Sequence, residues 1–145
     1  MIRTMEPGDI PAVSSIEREC FSRPWQPSDF EDAVVNPDTL FVVSELDGEV
    51  AGYVGAYISL DECEITNVAV GKAYRRRGVG RELIDGFSRR LVQRGVCRIH
   101  LEVRCSNEGA IALYEGAGFE RVGVRPGFYR DPKEDAILMT RDLQK

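Results

Sequence analysis

The sequence predicts an α/β domain in which a mixed sheet is covered by helices on both faces. Three observations lead there. Segments with a two-residue apolar period and segments with a helical one follow each other in the order β-α-α-β-β-β-α-β-α-β-β. Asp47-Gly48, set between two β-rich runs, is a strong signal for a tight hairpin. Arg98 to Arg104 alternates cleanly, with Ile99, Leu101 and Val103 on one face and His100, Glu102 and Arg104 on the other. The 145 residues suit one domain spanning 1–145, long enough to bury about two-thirds of the surface of its unfolded chain.

Each element has a local reason. Ile2 to Met5 reads as a short strand broken by Pro7-Gly8-Asp9, with Asp9 expected to cap a helix that carries Ile10, Val13, Ile16 and Cys20 on one stripe. Pro24 and Pro27 make Phe21–Pro27 a loop, and a second helix is expected from Ser28 through Phe30, Ala33 and Val34 until Asn36-Pro37-Asp38 stops it. Leu40–Leu46 and Glu49–Ser59 form the hairpin arms. In Cys63–Val70 the apolar parity changes between Ile65 and Val68, which a bulge near Thr66-Asn67 would reconcile. A helix follows with Val79, Leu83, Ile84, Phe87 and Leu91 on one stripe, closed by Arg94-Gly95. After the alternating strand, a last helix opens near Ser106-Asn107 and ends at Gly116-Ala117-Gly118. Strands over about Glu120–Arg125 and Asp135–Arg141 flank a loop with Pro126, Gly127 and Pro132.

Hydrophobic residues are 43% of the chain and charged residues 30%, a globular mixture far from that of disordered chains. The net charge of −5 argues against general nucleic-acid affinity. Apolar runs of five to six residues are too short to span a bilayer, which takes about 20, and residues 1–8 hold no apolar signal core, so a cytoplasmic protein is expected. Cys20, Cys63, Cys97 and Cys105 stand far apart with His100 as the one imidazole, so neither a metal site nor a disulfide is expected.

The chemistry concentrates in Gly71–Arg81, where five positive charges and no acid fall within eleven residues at a helix start. Glycines there let backbone N–H groups approach an anion, and the helix end favours phosphate. The segment fails the Walker pattern, because Ala73 follows Gly71-Lys72, and the dinucleotide pattern, because its third glycine would fall at Leu83. A solvated basic face remains open on the loop alone.

Taken with its surroundings, the loop gains meaning. Arg75-x-x-Gly78-x-Gly80 after a strand, Leu101-Glu102-Val103-Arg104, Ser106-Asn107, and Ala110-Ile111-Ala112-Leu113-Tyr114-Glu115 before Gly118-Phe119 resemble the GNAT superfamily of acetyl-CoA-dependent N-acetyltransferases over nearly the whole chain. Asn67-Val68-Ala69-Val70, Pro24-Trp25, Tyr129, and Glu134-Asp135-Ala136 before Met139 are similar to the RimI-type branch, the ribosomal-protein alanine N-acetyltransferases. The resemblance implies a mostly antiparallel central sheet with a splayed, bulged strand. It implies acetyl-CoA as co-substrate and no metal. Val68, Ala69 and Val70 would pair with the pantetheine arm; Arg76, Arg77, Gly78, Val79, Gly80 and Arg81 would hold the pyrophosphate, supported by Arg75; and Asn107 would reach the cofactor from the next helix.

By the same resemblance Glu102 is the general base and Tyr114 the acid in direct attack of an amine on the thioester. The sequence independently puts Glu102 on the polar face near the C-terminal end of a central strand, where open α/β sheets bind ligands. Tyr114 occupies an apolar helix position that a core aromatic would also fill. Cys105 lacks a His partner, so an acetyl-cysteine route is not expected. The implied acceptor is a protein N-terminal peptide, of a small-subunit ribosomal protein, taken up by a monomer. An α-amine, with a pKa of about 7.7–8.0, is easier to free than a lysine at about 10.4. The Trp25 loop and Pro126–Pro132 are the implied groove walls, and here Gln26 and Gly127-Phe128 depart from the branch's usual Ser and Asn-Tyr. A small amine or lysine acceptor, or a non-catalytic acyl-CoA sensor, are the competing readings.

Overall fold

The computed structural model describes residues 1–144. Seven strands form one sheet in the order β1-β2-β3-β4-β5-β7-β6, where β1 is Ile2–Thr4, β2 Thr39–Leu46, β3 Glu49–Ser59, β4 Glu62–Val70, β5 Arg98–Arg104, β6 Glu120–Tyr129 and β7 Glu134–Asp142. All neighbours are antiparallel except β4 and β5. That parallel pair needs a crossover, which helix α3 (Val79–Gln93) supplies. Helices α1 (Ile10–Cys20) and α2 (Pro27–Val35) lie between β1 and β2, and α4 (Glu108–Gly116) joins β5 to β6.

The two faces of the sheet bury separate cores. Val13 and Phe30 from the first two helices pack on Phe41, Val43 and Tyr53. Leu83, Ile84, Phe87 and Leu91 of α3 pack on Val42, Val54 and Ile99. The alternation of Phe41 and Val43 against Val42 is the period-2 pattern of β2 feeding both layers, which is why that strand is apolar throughout. Among the described residues no helix is long and apolar enough to cross a membrane.

Three local expectations change. Asp9 does not cap α1 with its side chain: Oδ2 accepts from the Glu6 N–H at 2.8 Å, closing a 3-10 turn over Pro7–Asp9, and the carboxylate holds Arg3 at 2.7 and 2.8 Å. Helix α2 starts one residue before Ser28, at Pro27. There the missing N–H costs nothing, and Asp29 closes the turn by accepting from the Gln26 N–H at 2.8 Å. Strand β6 continues through Pro126 to Tyr129, leaving only residues 130–133 as the turn, because β6 is an edge strand whose register shifts between Arg125 and Tyr129. The expected bulge in β4 is present: Gly55 faces Asn67 while Ala56 faces Ile65, so Thr66 is the extra residue.

Candidate active site

Strands β4 and β5 pair only over Glu62–Glu64 and Arg98–His100. Beyond that point β4 stays with β3 as far as Val70 while β5 stays with β7, and the sheet opens into a wedge. The bulge at Thr66 bends β4 where the divergence begins. Val68, Ala69 and Val70 therefore present a backbone edge with no strand opposite, along a cleft of about 990 Å³. Val68 and Val70 are half-buried and Ala69 is buried.

One end of the cleft is closed by the entry to α3. Arg76 (φ 64°) and Gly78 (φ 78°) both adopt left-handed backbone, curling the loop so that the helix starts at Val79. Gly80 is needed for close approach: a Cβ there would lie 3.0 Å from Leu113 Cδ2 and 3.8 Å from Val70 Cγ2. Arg76, Gly78, Val79, Gly80 and Arg81 line the cleft. Arg77 lies outside that lining, its guanidinium 5.9 Å from the centre of the Tyr74 ring. Arg75 reaches back, its Nε donating to the Val70 carbonyl at 3.3 Å and its Nη2 to Cys20 Sγ at 3.3 Å. Asn107 caps α4 by accepting from the Ala110 N–H at 3.2 Å, which commits its oxygen and leaves its NH₂ as the group a ligand could use.

Glu102 and Tyr114 both line the same cleft. The Glu102 side chain is 19% exposed and its Oε1 accepts from Arg125 Nη1 at 3.3 Å. Tyr114 is buried, which pushes its phenol well above the ordinary tyrosine range and keeps it protonated at neutral pH. Tyr129 is likewise pushed up to about 12, first by burial and then by the negative charge of Glu102. One carboxylate and two protonated phenols thus face a common space, an arrangement able to take a proton at one point and give one at another.

A second carboxylate in the cleft wall is not singled out by the sequence patterns. Glu17 of α1 is buried, and it accepts hydrogen bonds from the Tyr53 hydroxyl, from the Trp25 N–H at 2.9 Å and, more weakly, from Asn67 Nδ2 at 3.4 Å. It ties α1, β3, the β4 bulge and the Trp25 loop together. Its signal was present: Ile10, Val13 and Glu17 fall at i, i+3 and i+7, so a charge sits on the apolar stripe.

The far side of the cleft is framed by two loops. Trp25 stacks on Phe30 and Phe41 with ring centres 5.1 and 5.9 Å apart. Across from it, Arg104 lies 4.6 Å from the centre of the Tyr129 ring, donates to the carbonyls of Arg130 and Pro132 at 2.8 and 2.9 Å, and pairs with Glu134 at 3.2 Å. Arg23 and Asp131 join the two loops at 2.6 Å.

A bulged, splayed strand with a glycine-rich, basic helix entry beside it makes this an α/β domain with an anion-suited cleft at the parting of its central strands. Residues 10–119 match the Acetyltransferase (GNAT) family, and the chain belongs to that family of acetyltransferases. It is 36% identical to the [ribosomal protein bS18]-alanine N-acetyltransferase of Escherichia coli, covering 95% of this chain and 94% of that one. It is 35% identical to the N-alpha-acetyltransferase RimI of Mycobacterium tuberculosis, with 92% and 87% covered. The crystal structure of the E. coli ribosomal-protein-S18-alanine N-acetyltransferase superposes with a TM-score of 0.90 at 35% identity, covering 99% of this chain and 93% of that one. The mostly antiparallel sheet with one parallel pair is thus the GNAT fold expected from the motifs.

Proposed function

We propose that this acetyltransferase moves the acetyl group of acetyl-CoA to the α-amine of the N-terminal alanine of ribosomal protein bS18, in the cytoplasm. The observation that carries the reading is the presence of Glu102 and Tyr114 in the lining of one cleft that also holds the parted edge of β4, a basic helix entry and two aromatic loops. The edge of Val68, Ala69 and Val70 suits an amide-bearing arm that can pair as a strand would. The entry to α3, with Arg76, Gly78, Val79, Gly80 and Arg81, suits a pyrophosphate, with Arg75, also in the lining, bracing the loop through the Val70 carbonyl and Arg77 contributing charge from outside the lining. Asn107 can add one donor.

In the proposed step the neutral amine attacks the thioester carbonyl carbon. The N–C bond forms and the C–S bond breaks; the amine's extra proton passes to Glu102, and the departing thiolate takes the proton of Tyr114. Proton exchange with solvent then restores both groups. Arg125 donates to the Glu102 carboxylate, and Trp25 and Tyr129 form part of the wall beside the amine.

The test is mass spectrometry of a peptide bearing the N-terminus of bS18, incubated with acetyl-CoA and either the native protein or Glu102→Gln. One acetyl group on the α-amine, formed at least 100-fold more slowly by the variant, is expected. Transfer to internal lysines when the N-terminus is blocked would instead assign a side-chain acceptor. Binding of acetyl-CoA without transfer to any amine would make the protein a sensor.

A further inference from the structure

Arg104 is the last residue of β5, two residues beyond Glu102 and on the same face of the strand. Pairing between β5 and β7 stops there, at Arg104 and Ala136, while β6 and β7 go on pairing as far as Tyr129 and Glu134, so the turn over residues 130–133 extends past the end of β5. The Arg104 guanidinium holds that turn. Its Nη1 donates to the Pro132 carbonyl at 2.9 Å and to Glu134 Oε1 at 3.2 Å, its Nη2 donates to the Arg130 carbonyl at 2.8 Å, and its central carbon lies 4.6 Å from the centre of the Tyr129 ring. Glu134 is anchored in turn by the Ser106 N–H at 3.2 Å.

We propose that Arg104 is a positioning residue for the acceptor side of the transfer reaction: it fixes the turn between β6 and β7 and so sets where the Tyr129 ring stands in the cleft. This rests on the reading of the cleft as the site of transfer to a protein N-terminus. Arg104, Tyr129 and Arg130 all belong to the cleft lining, so a change in the turn is a change in the wall.

The other holds on this segment are of a different kind. Arg23 and Asp131 meet at 2.6 Å, but their side chains are 68% and 61% exposed, and an ion pair standing in water is screened and contributes little. The Gly127 N–H donates to Asp135 at 2.8 Å, which secures β6 before the turn rather than the turn itself. The Arg104 and Glu134 side chains are 26% and 16% exposed, so their contacts are better shielded from solvent. Only a planar fork can give donors to two carbonyls and a carboxylate while keeping contact with a ring; a lysine ammonium keeps the charge and loses the geometry.

The experiment has two readouts, one independent of the acceptor. The first is the rate of tryptic cleavage after Arg130 in the folded protein without substrate. The second is steady-state transfer to a peptide bearing the N-terminus of bS18, with the acetyl-CoA Kd measured by calorimetry. Arg104→Gln and Arg104→Lys should each speed the cleavage at least about fivefold, because the turn opens locally more often. Each should raise the peptide KM about tenfold and leave the acetyl-CoA Kd within about twofold. In a Tyr129→Ala background, Arg104→Gln should raise KM by less than about threefold, since the ring through which it acts is gone. Native cleavage and native KM in Arg104→Gln overturn the proposal. The full tenfold effect in the Tyr129→Ala background also overturns it, making Arg104 a direct contact of the acceptor, and a matching rise in the acetyl-CoA Kd overturns it as a general loss of the cleft. Absence of transfer by the native protein overturns the functional reading instead, and is told apart because the cleavage rates still report whether Arg104 holds the turn.

Discussion

Replacing Glu17 tests whether a buried carboxylate holds the acceptor side of the cleft in place. In the native chain it accepts two good hydrogen bonds, from the Tyr53 hydroxyl and the Trp25 N–H, and two long ones from Asn67. Bonds to a charged acceptor contribute about 1.5–3 kcal/mol each, against about 0.5–1.5 between neutral groups. Glu17→Gln keeps the volume but has one oxygen; if that oxygen keeps the Trp25 N–H, its NH₂ meets the Tyr53 hydroxyl, which must then turn to accept. Weakening one strong bond and reversing another costs about 2 kcal/mol. Glu17→Ala leaves three buried donors without an acceptor and costs about 4 kcal/mol. For a chain of this size those figures correspond to losses in Tm of roughly 4–8 °C and 8–16 °C. Urea unfolding followed by tryptophan fluorescence reads the effect directly, since Trp25 is the single tryptophan and sits on the network. The peptide KM should rise at least threefold in Glu17→Gln at temperatures where it stays folded, while the acetyl-CoA Kd stays within twofold. A Glu17→Gln protein less than 0.5 kcal/mol below native stability would refute the assignment of the network.

Further outcomes follow from single residues. Gly78→Ala forces a side chain into left-handed backbone at the start of α3 and should cost about 1 kcal/mol in urea unfolding, with little steric penalty because no atom lies within 4 Å of the added carbon. Asp9, held by Arg3 below the ordinary carboxylate range, gives stability that is complete above the unfolded carboxylate pKa and lost as pH falls through the lower folded value. Asp9→Asn should therefore flatten the acid side of the Tm profile while lowering Tm at neutral pH. Cys63, buried and pushed up to about 12, should resist iodoacetamide at pH 8 until the protein unfolds, whereas exposed Cys105 should be alkylated in the folded state, as peptide mapping would reveal.

Much of the fold was legible because the residues state it locally. Asp47-Gly48 demands left-handed backbone at both turn positions and receives it, at φ 52° and 79°. The parity change between Ile65 and Val68 placed the bulge near Thr66-Asn67, where the register shows Thr66 as the extra residue, since a slipped register would have turned an apolar set to water. Where local signals competed, reading them failed: Asp9 is a good cap by type, but Arg3 and the Glu6 N–H claim its oxygens. Pro126 looked like a loop residue because its neighbour relations across the sheet, as an edge strand with a shifted register, lie outside its own segment.

For the site, the motifs named Glu102, Tyr114 and most of the cleft lining, and it took the folded chain to show Arg77 standing outside that lining. They were silent on Glu17, which is held by partners distant in sequence, Tyr53 and Asn67. By itself the sequence determined what short-range chemistry can encode: strand and helix periods, turn geometry, the bulge, and the glycines at the entry to α3. The tertiary structure decided which charges face each other, because the burial and separation that set an electrostatic interaction depend on β4 and β5 parting at Glu64 and on loops from both ends of the chain closing over the gap.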